Sequence, residues 1–262
     1  MRATLARIVA DTELSLPGLR ERRAAVERAA SQTVVPQSFK HALVKGAVTL
    51  IAEVKRRSPS QGEIRADLDP AEQASQYAGG GAAAISVLTD GPHFGGSPED
   101  LRAVAGRVQV PVLRKDFILD ELQIVEARGL GAAAILLIVR ILPPARLRAL
   151  LATARDLGLE ALVEAHTAAE LDAALEAGAG VVGINSRDLD TFTLDLAQAW
   201  ALLARVPATV VAVAESGMST EGDVRKAAAA GADAVLIGTA LSSARDPGRL
   251  ARELSGVPRL GR

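Results

Sequence analysis

Lysine is scarce in this chain, and where it occurs is informative. Positive charge is overwhelmingly arginine, and lysine is confined to Lys40, Lys45, Lys55, Lys115 and Lys226. Lys55 and Lys115 close the apolar runs LIAEVK and PVLRK. A desolvated lysine can give up a proton, which an arginine effectively cannot. Side chains alternate along a strand, so Ile51, Glu53 and Lys55 share one face, as do Leu113 with Lys115 and Val213 with Glu215. Glu164, then Asn185 and Arg187, then Glu215 and Ser216 stand at the ends of later apolar runs. Taken singly, each has an ordinary explanation: Glu164 as a solvated loop acid, Glu215 as the partner of a nearby arginine. Their recurrence at successive run ends favours one shared polar pocket. Ammonium donors beside carboxylates are the equipment of general acid–base chemistry.

Two further sets complete the candidate site. Ser216-Gly217-Met218-Ser219 and Gly238-Thr239-Ala240 bring glycines and hydroxyls to the last two run ends, a pattern suited to phosphate. Glycines also simply make tight turns, so the pattern alone decides nothing. Lys55 and Ser58-Pro59-Ser60 could close over the same phosphate. Aromatics are only 2% of the chain, yet Phe94 and Phe117 fall in loops after apolar runs, where a flat apolar ligand could use them. Packing of those loops is the plain alternative. His41, His93 and His166 show no partner spacing and read as ordinary residues. No His/acid cluster has metal-ligand spacing, so no metal is expected.

The elements that must position these groups follow from periodicity. From Thr49 onward, apolar runs of strand length alternate with capped helical segments. Asp69-Pro70-Ala71-Glu72, Ser97-Pro98-Glu99-Asp100 and Thr167 to Glu170 are helix starts. AGGGAAAISVL, RGLGAAAILLI, EAGAGVVGINS and AAGADAVLIGT each join a helix-ending glycine to a strand, marking every second strand–helix unit. Near-continuous apolar strands imply a sheet covered on both faces. About eight such units over roughly 200–250 residues predict a closed (β/α)8 barrel. An open doubly wound sheet would need its glycine fingerprint after the first strand, and the glycine clusters here follow helices. Residues 1–48 read as a helical extension packed on a barrel of residues 49–262, with one helix near Leu5–Val9, a second from Pro17 to Ala30, and a short turn at Phe39–Leu43.

Composition narrows the partners. A formal net charge of -1 gives no electrostatic case for nucleic acid or an anionic membrane. No apolar stretch is long enough to span a bilayer, and the N-terminus does not read as a signal peptide. With 0 cysteines there is neither a disulfide nor a thiol nucleophile, which suits the cytoplasm. A monomer or weak homo-oligomer acting on a small molecule is the expectation.

The motif series IAEVKRRSPSQG, AISVLTDGPHFGGS, LRKDFILDELQI, ILLIV, LVEAHTAAEL, GINSRDLDTF, AESGM and GADAVLIGTAL resembles, in order, that of the indole-3-glycerol phosphate synthase family. The resemblance covers nearly the whole barrel and implies a TIM barrel without cofactor. It implies ring closure of 1-(2-carboxyphenylamino)-1-deoxyribulose 5-phosphate, with decarboxylation and dehydration, in tryptophan biosynthesis. By resemblance Lys115 is the general acid and Glu164 its acid/base partner. Lys55 neutralises the substrate anion, and either lysine could supply the acid for dehydration. Glu53 and Asn185 orient these groups, and Glu215 binds the substrate hydroxyls. Ser58 and Arg187 support the substrate, Phe94, Phe117, Leu136 and Leu189 form the ring pocket, and Ser216, Gly217, Gly238 and Thr239 hold phosphate with Lys55. The chain stops after one barrel, so it looks monofunctional. Some family members lend an aromatic from the extension to the ring, and Phe39 is the only such residue here. The alternatives are a barrel acting on another phosphosugar, such as an isomerase that would need a cysteine base, or a non-catalytic binding barrel.

Overall fold

In the computed structural model, which describes residues 4–260, eight parallel strands close on themselves. They are β1 (Ala47–Val54), β2 (Ala84–Leu88), β3 (Val112–Lys115), β4 (Ala134–Ile138), β5 (Glu160–Ala165), β6 (Val181–Asn185), β7 (Val211–Glu215) and β8 (Ala234–Ile237). Each pairs with the next, and β8 returns to β1 with Ala234 opposite Thr49 and Ile237 opposite Ala52. This is the (β/α)8 barrel that the strand–helix alternation predicts. The anticipated helix starts are also present. Asp69 accepts from the amides of Ala71 and Glu72, Ser97 from Asp100, and Thr167 from Glu170.

Alternation sorts the strand residues into two apolar layers. Leu50, Ala52, Val54, Ile85, Val87, Leu137, Val163 and Val235 point outward and pack under the helices. Ile51, Ala84, Leu113, Leu136, Leu162, Val181, Val213 and Leu236 point inward and fill the barrel. The inward column continues into Glu53, Lys115, Glu164, Asn185 and Glu215. The same period of two that builds the core therefore delivers the ionisable groups to one rim.

Three helices precede the barrel: α1 (Leu5–Glu21), α2 (Arg23–Gln32) and α3 (Phe39–Leu43). Leu5, Ile8, Thr12, Leu16 and Leu19 form the buried stripe of α1 at helical spacing. The expected helix start at Pro17 is not observed. Pro17 lies inside α1, and the break comes at Arg22. Pro17 and Glu13 are both exposed, so the carbonyl that loses its partner faces solvent rather than the core. The extension runs the height of the barrel. At the C-terminal rim, Asp11 of α1 meets His93 Nε2 at 3.1 Å. Beside the barrel, α2 packs on the helix Glu121–Gly129, and Arg128 donates to the Val34 carbonyl at 2.8 Å. At the other end, Phe39 and Leu43 are fully buried in the inward cluster, and Thr49 Oγ1 donates to the Leu43 carbonyl at 3.2 Å. Phe39 is thus a floor residue, remote from the rim. Among the described residues, no helix is long and apolar enough to cross a membrane.

Candidate active site

The C-terminal rim opens into a cavity of about 370 Å³. It is lined by Glu53, Lys55 and Ser58 from β1 and its loop, and by Phe94, Lys115, Phe117, Leu136 and Glu164. Asn185, Arg187, Leu189, Glu215, Ser216, Gly217, Gly238 and Thr239 complete it. Every residue singled out from the sequence therefore faces the same space.

The polar floor is a compact charge array. Lys115 Nζ lies 3.3 Å from Glu164 Oε2 and 3.4 Å from Glu215 Oε2. Lys55 Nζ lies 2.8 Å from Glu53 Oε1. Burial disfavours the Lys115 ammonium, but Glu164, Glu215 and Glu53 outweigh it and push its pKa up, so it stays protonated. Burial also works against ionised Glu164, yet Lys115, then His166 and the Asn185 amide, hold its pKa below the usual carboxylate range. Asn185 is aimed for that task, because its Oδ1 accepts from the Arg187 amide at 3.0 Å. Glu215 goes the other way. Burial, opposed by Lys115 but reinforced by the negative charge of Glu164, pushes it up to about 8. Neither Glu215 oxygen has a well-aligned hydrogen bond, so this buried acid lines the cavity with hydrogen-bonding capacity unused. Two neighbouring carboxyls are thus driven apart, one ionised and one protonated near neutrality.

Glycine makes room for both acids. A Cβ at Gly183 would fall 2.0 Å from Glu215 Oε1. One at Gly238 would fall 2.3 Å from Glu53 Oε1 and 2.9 Å from Lys55 Nζ. Gly238 immediately precedes the one-turn helix Thr239–Ser242. Ser216 and Gly217 both have positive φ, 68° and 74°, which turns the backbone after β7 back over the cavity. Ser219 and Ala240 line the same end, which offers hydroxyls and backbone rather than further carboxylates.

The opposite wall is apolar. The rings of Phe94 and Phe117 are tilted by 34° with centroids 6.2 Å apart. Phe117, Leu136 and Ile138 belong to the same buried apolar cluster as Leu5 and Ile8 of α1, so the extension and the barrel interior share one core. Arg187 reaches the Phe192 carbonyl at 3.0 Å, and burial pushes its guanidinium pKa down. The loop after β1 carries a small hairpin, Arg57–Ser58 against Gly62–Glu63. Arg56 binds Asp100 Oδ1 at 3.1 Å and Arg57 the Gly91 carbonyl at 2.9 Å, tying this loop to the segment that bears Phe94.

Several lining residues carried no signal in the sequence. Gln61, Phe192 and Leu194 reach the cavity through loop conformation, and Ile138 as the inward residue after Leu136 at the end of β4. Phe192 takes φ 60°, rare for a bulky residue. His166 was expected to be an ordinary loop or helix residue, and that reading is corrected. It is buried, with Nδ1 3.2 Å from Glu170 Oε2 and Nε2 3.5 Å from Glu164 Oε1. Its place two residues after Glu164, on the same strand face, was the available clue. Among the described residues, no group of His, Cys, Asp and Glu could hold a metal ion.

A sequence model described as indole-3-glycerol phosphate synthase matches residues 5–254. The chain belongs to the indole-3-glycerol phosphate synthase family. It is 47% identical over 258 residues to indole-3-glycerol phosphate synthase 2 of Streptomyces coelicolor, covering 98% of this chain and 100% of that one. The Leptospira interrogans indole-3-glycerol phosphate synthase is 49% identical over 212 residues, covering 80% and 82%. Among solved structures, 3-hexulose-6-phosphate synthase superposes with a TM-score of 0.64 at 17% identity, covering 79% of this chain and 98% of that one. Thiamine phosphate pyrophosphorylase from Pyrococcus furiosus gives a TM-score of 0.61 at 16% identity, covering 80% and 94%. These two likenesses are of fold alone.

Proposed function

We propose a division of labour within this cavity for the family's reaction. The protein is a carboxy-lyase of tryptophan biosynthesis. It closes the indole ring of 1-(2-carboxyphenylamino)-1-deoxyribulose 5-phosphate and releases carbon dioxide and water as it forms indole-3-glycerol phosphate. Phe94, Phe117, Leu136 and Leu189 hold the aryl ring. Ser216, Gly217, Gly238 and Thr239, with Lys55, hold the phosphate at the other end. Ser58 and Arg187 support the substrate between them.

Ring closure needs a proton on the ketone oxygen as the carboxylated ring carbon attacks. Lys115 is the donor, kept charged chiefly by ionised Glu164, with Glu53 beyond it. Lys55, oriented by Glu53, neutralises the carboxylate that leaves as carbon dioxide. Loss of the new hydroxyl as water then requires a proton on that oxygen, supplied by Lys55 or Lys115, and removal of one elsewhere. Glu164, ionised and turned by Asn185, is the acceptor. Protonated Glu215 donates to the ribulose hydroxyls. We place this chemistry in the cytoplasm, in a monomer or weak homo-oligomer that engages neither nucleic acid nor membrane. The near-neutral charge and lack of cysteine support that placement.

The observation that carries the assignment is Lys115 Nζ held between Glu164 and Glu215 at the cavity floor, at 3.3 and 3.4 Å. Lys115→Met tests it. Turnover, followed by the appearance of the indole chromophore, should fall by on the order of 10²–10⁴ while substrate still binds. A folded Lys115→Met variant with unchanged kcat would remove Lys115 from the chemistry.

A further inference from the structure

His166 lies behind the floor, outside the cavity. It follows β5 by one residue and shares the inward face with Glu164. The two oxygens of Glu164 look in different directions: Oε2 faces Lys115 at 3.3 Å, and Oε1 faces His166 Nε2 at 3.5 Å. On its other side, His166 Nδ1 lies 3.2 Å from Glu170 Oε2, which also accepts from the His166 amide at 2.7 Å. Glu170 is in turn bound by Arg140 Nε at 3.0 Å, and Arg140 Nη1 reaches Asp188 Oδ2 at 2.9 Å. Gln198 Nε2 donates to the His166 carbonyl at 3.2 Å. β5 and the helix Ala168–Glu176 thus supply the two acids that meet the imidazole, the turn Val139–Ile141 braces Glu170, and the helix Leu196–Leu203 holds the His166 backbone.

The proton count around this ring is constrained. Burial opposes ionised Glu170, but hydrogen bonds from His166 and Arg140 pull its pKa down to about 2, so it is a carboxylate throughout the neutral range. It therefore takes the Nδ1–H. If His166 were neutral and Glu164 ionised, the Nε2 lone pair would face a carboxylate oxygen with no proton between them. Nε2 is buried and has no other hydrogen-bond partner. A proton resolves this, either on Nε2 or on Glu164 Oε1.

We propose that His166 is a positioning residue for Glu164, directing Oε2 into the cavity and sharing through Nε2 the proton that Glu164 exchanges during turnover. When Glu164 accepts a substrate proton at Oε2, the shared proton stays on Nε2. When Glu164 must donate, the Nε2 proton moves to Oε1 and replaces the one lost. No atom other than hydrogen moves: the next proton accepted at Oε2 sends the Oε1 proton back to Nε2, a return that the negative charge of Glu170 favours. The groups that set the equilibrium are Glu164 and Glu170 on either side of the ring, Arg140 and Asp188 behind Glu170, and Lys115 and Glu215 beyond Glu164. The proposal rests on the acid/base role given to Glu164 above.

The test uses the whole protein and four variants, read by kcat, KM and the pH profile of kcat. His166→Leu removes both the donor and the charge. Its kcat should fall by on the order of 10², as expected for a misaligned catalytic group, with KM within about threefold. Losing the imidazolium also raises the Glu164 pKa, so the acid limb of kcat should move to higher pH. His166→Gln retains an N–H in reach of Oε1. It should recover at least about tenfold of the loss and keep the displaced acid limb, since the charge is still missing. Should His166→Leu fail to fold, His166→Gln and Glu170→Gln carry the same test through their pH profiles. Folded His166 variants with the parental kcat and acid limb would overturn the proposal, as would a change confined to KM. Glu164→Gln separates the two failures. If that variant is fully active, the role of Glu164 is wrong. If it is inactive while His166 variants behave as the parent, only the role of His166 is wrong.

Discussion

Replacing Gly238 by alanine adds one methyl group at the point where β8 meets the Glu53–Lys55 pair. The backbone there has φ -118° and ψ -68°, so a side chain does not force a left-handed conformation. The conflict is with the site alone. The new Cβ would stand 2.3 Å from Glu53 Oε1 and 2.9 Å from Lys55 Nζ. Ordinary contact begins near 3.4 Å, so Glu53 must retreat by about 1 Å and Lys55 by about half that. Both atoms are the free ends of flexible side chains, and the fold should lose only about 1 kcal/mol, the low end for overpacking. A misplacement of this size at reacting groups costs on the order of 10² in rate, or about 2.7 kcal/mol of barrier. We therefore expect kcat/KM of Gly238→Ala to fall about a hundredfold while thermal unfolding shifts by only a few degrees. Gly222→Ala is the matched control, because the nearest atom to its Cβ is Thr220 Oγ1 at 3.6 Å. The assay is the rise of indole fluorescence under steady-state conditions. A folded Gly238→Ala variant with kcat/KM within threefold of the parent would refute the argument that this glycine is kept for the Glu53–Lys55 geometry.

Other outcomes follow from the same array. Glu215 rises from about 4.5 to about 8 on folding, so between those values the folded state binds more protons than the unfolded chain and stability falls as pH rises. Glu215→Gln, neutral throughout, should flatten that decline, and urea unfolding at pH 5 and pH 8 that leaves the slope unchanged would count against a buried protonated acid. Sulfate or phosphate should occupy the end of the cavity at Ser216–Gly217 and Gly238–Thr239 without substrate, and a crystal soaked in sulfate with no anion there would remove the phosphate assignment. Loop residues 56–69 should gain hydrogen-exchange protection when a product analogue binds, by closing over the cavity, whereas equal protection in both states would make the loop a fixed wall.

What the sequence revealed depended on whether backbone periodicity alone placed a residue. Lys55, Lys115, Glu164 and Glu215 were legible because each ends an apolar run, and alternation fixes its face. The barrel was legible for the same reason, with capping residues marking where each helix begins. Phe192 and Leu194 were not, since they reach the cavity through loop conformations that no period describes. Pro17 misled because proline favours the first helical position, whereas here it sits inside α1 where the carbonyl that loses its partner faces solvent. His166 was missed although both ring partners are local, Glu164 two residues before it and Glu170 four after, because it lies just past the strand end, where no period fixes the direction of the ring. Gly183 gave no signal at all: within a run of apolar residues its missing side chain is indistinguishable from a small core position.

The seam between β1 and β8 has a consequence for how the molecule comes into being. Ser242 Oγ donates to the Glu53 carbonyl across 189 positions of sequence, and the strand pairing at Thr49 and Ala234 spans nearly as much. Such a contact requires a long loop to be closed before it returns any stabilisation, which makes it among the last to form. A chain without that closure would be an open, curved sheet with β1 and β8 as its edges, the condition in which sheets associate with one another. Glu53 and Lys55 ride on the β1 edge, and Gly238 arrives with the final strand. Competence for chemistry therefore waits on the last closure of the ring, and a partly folded molecule with most of its helices in place would still lack a complete site.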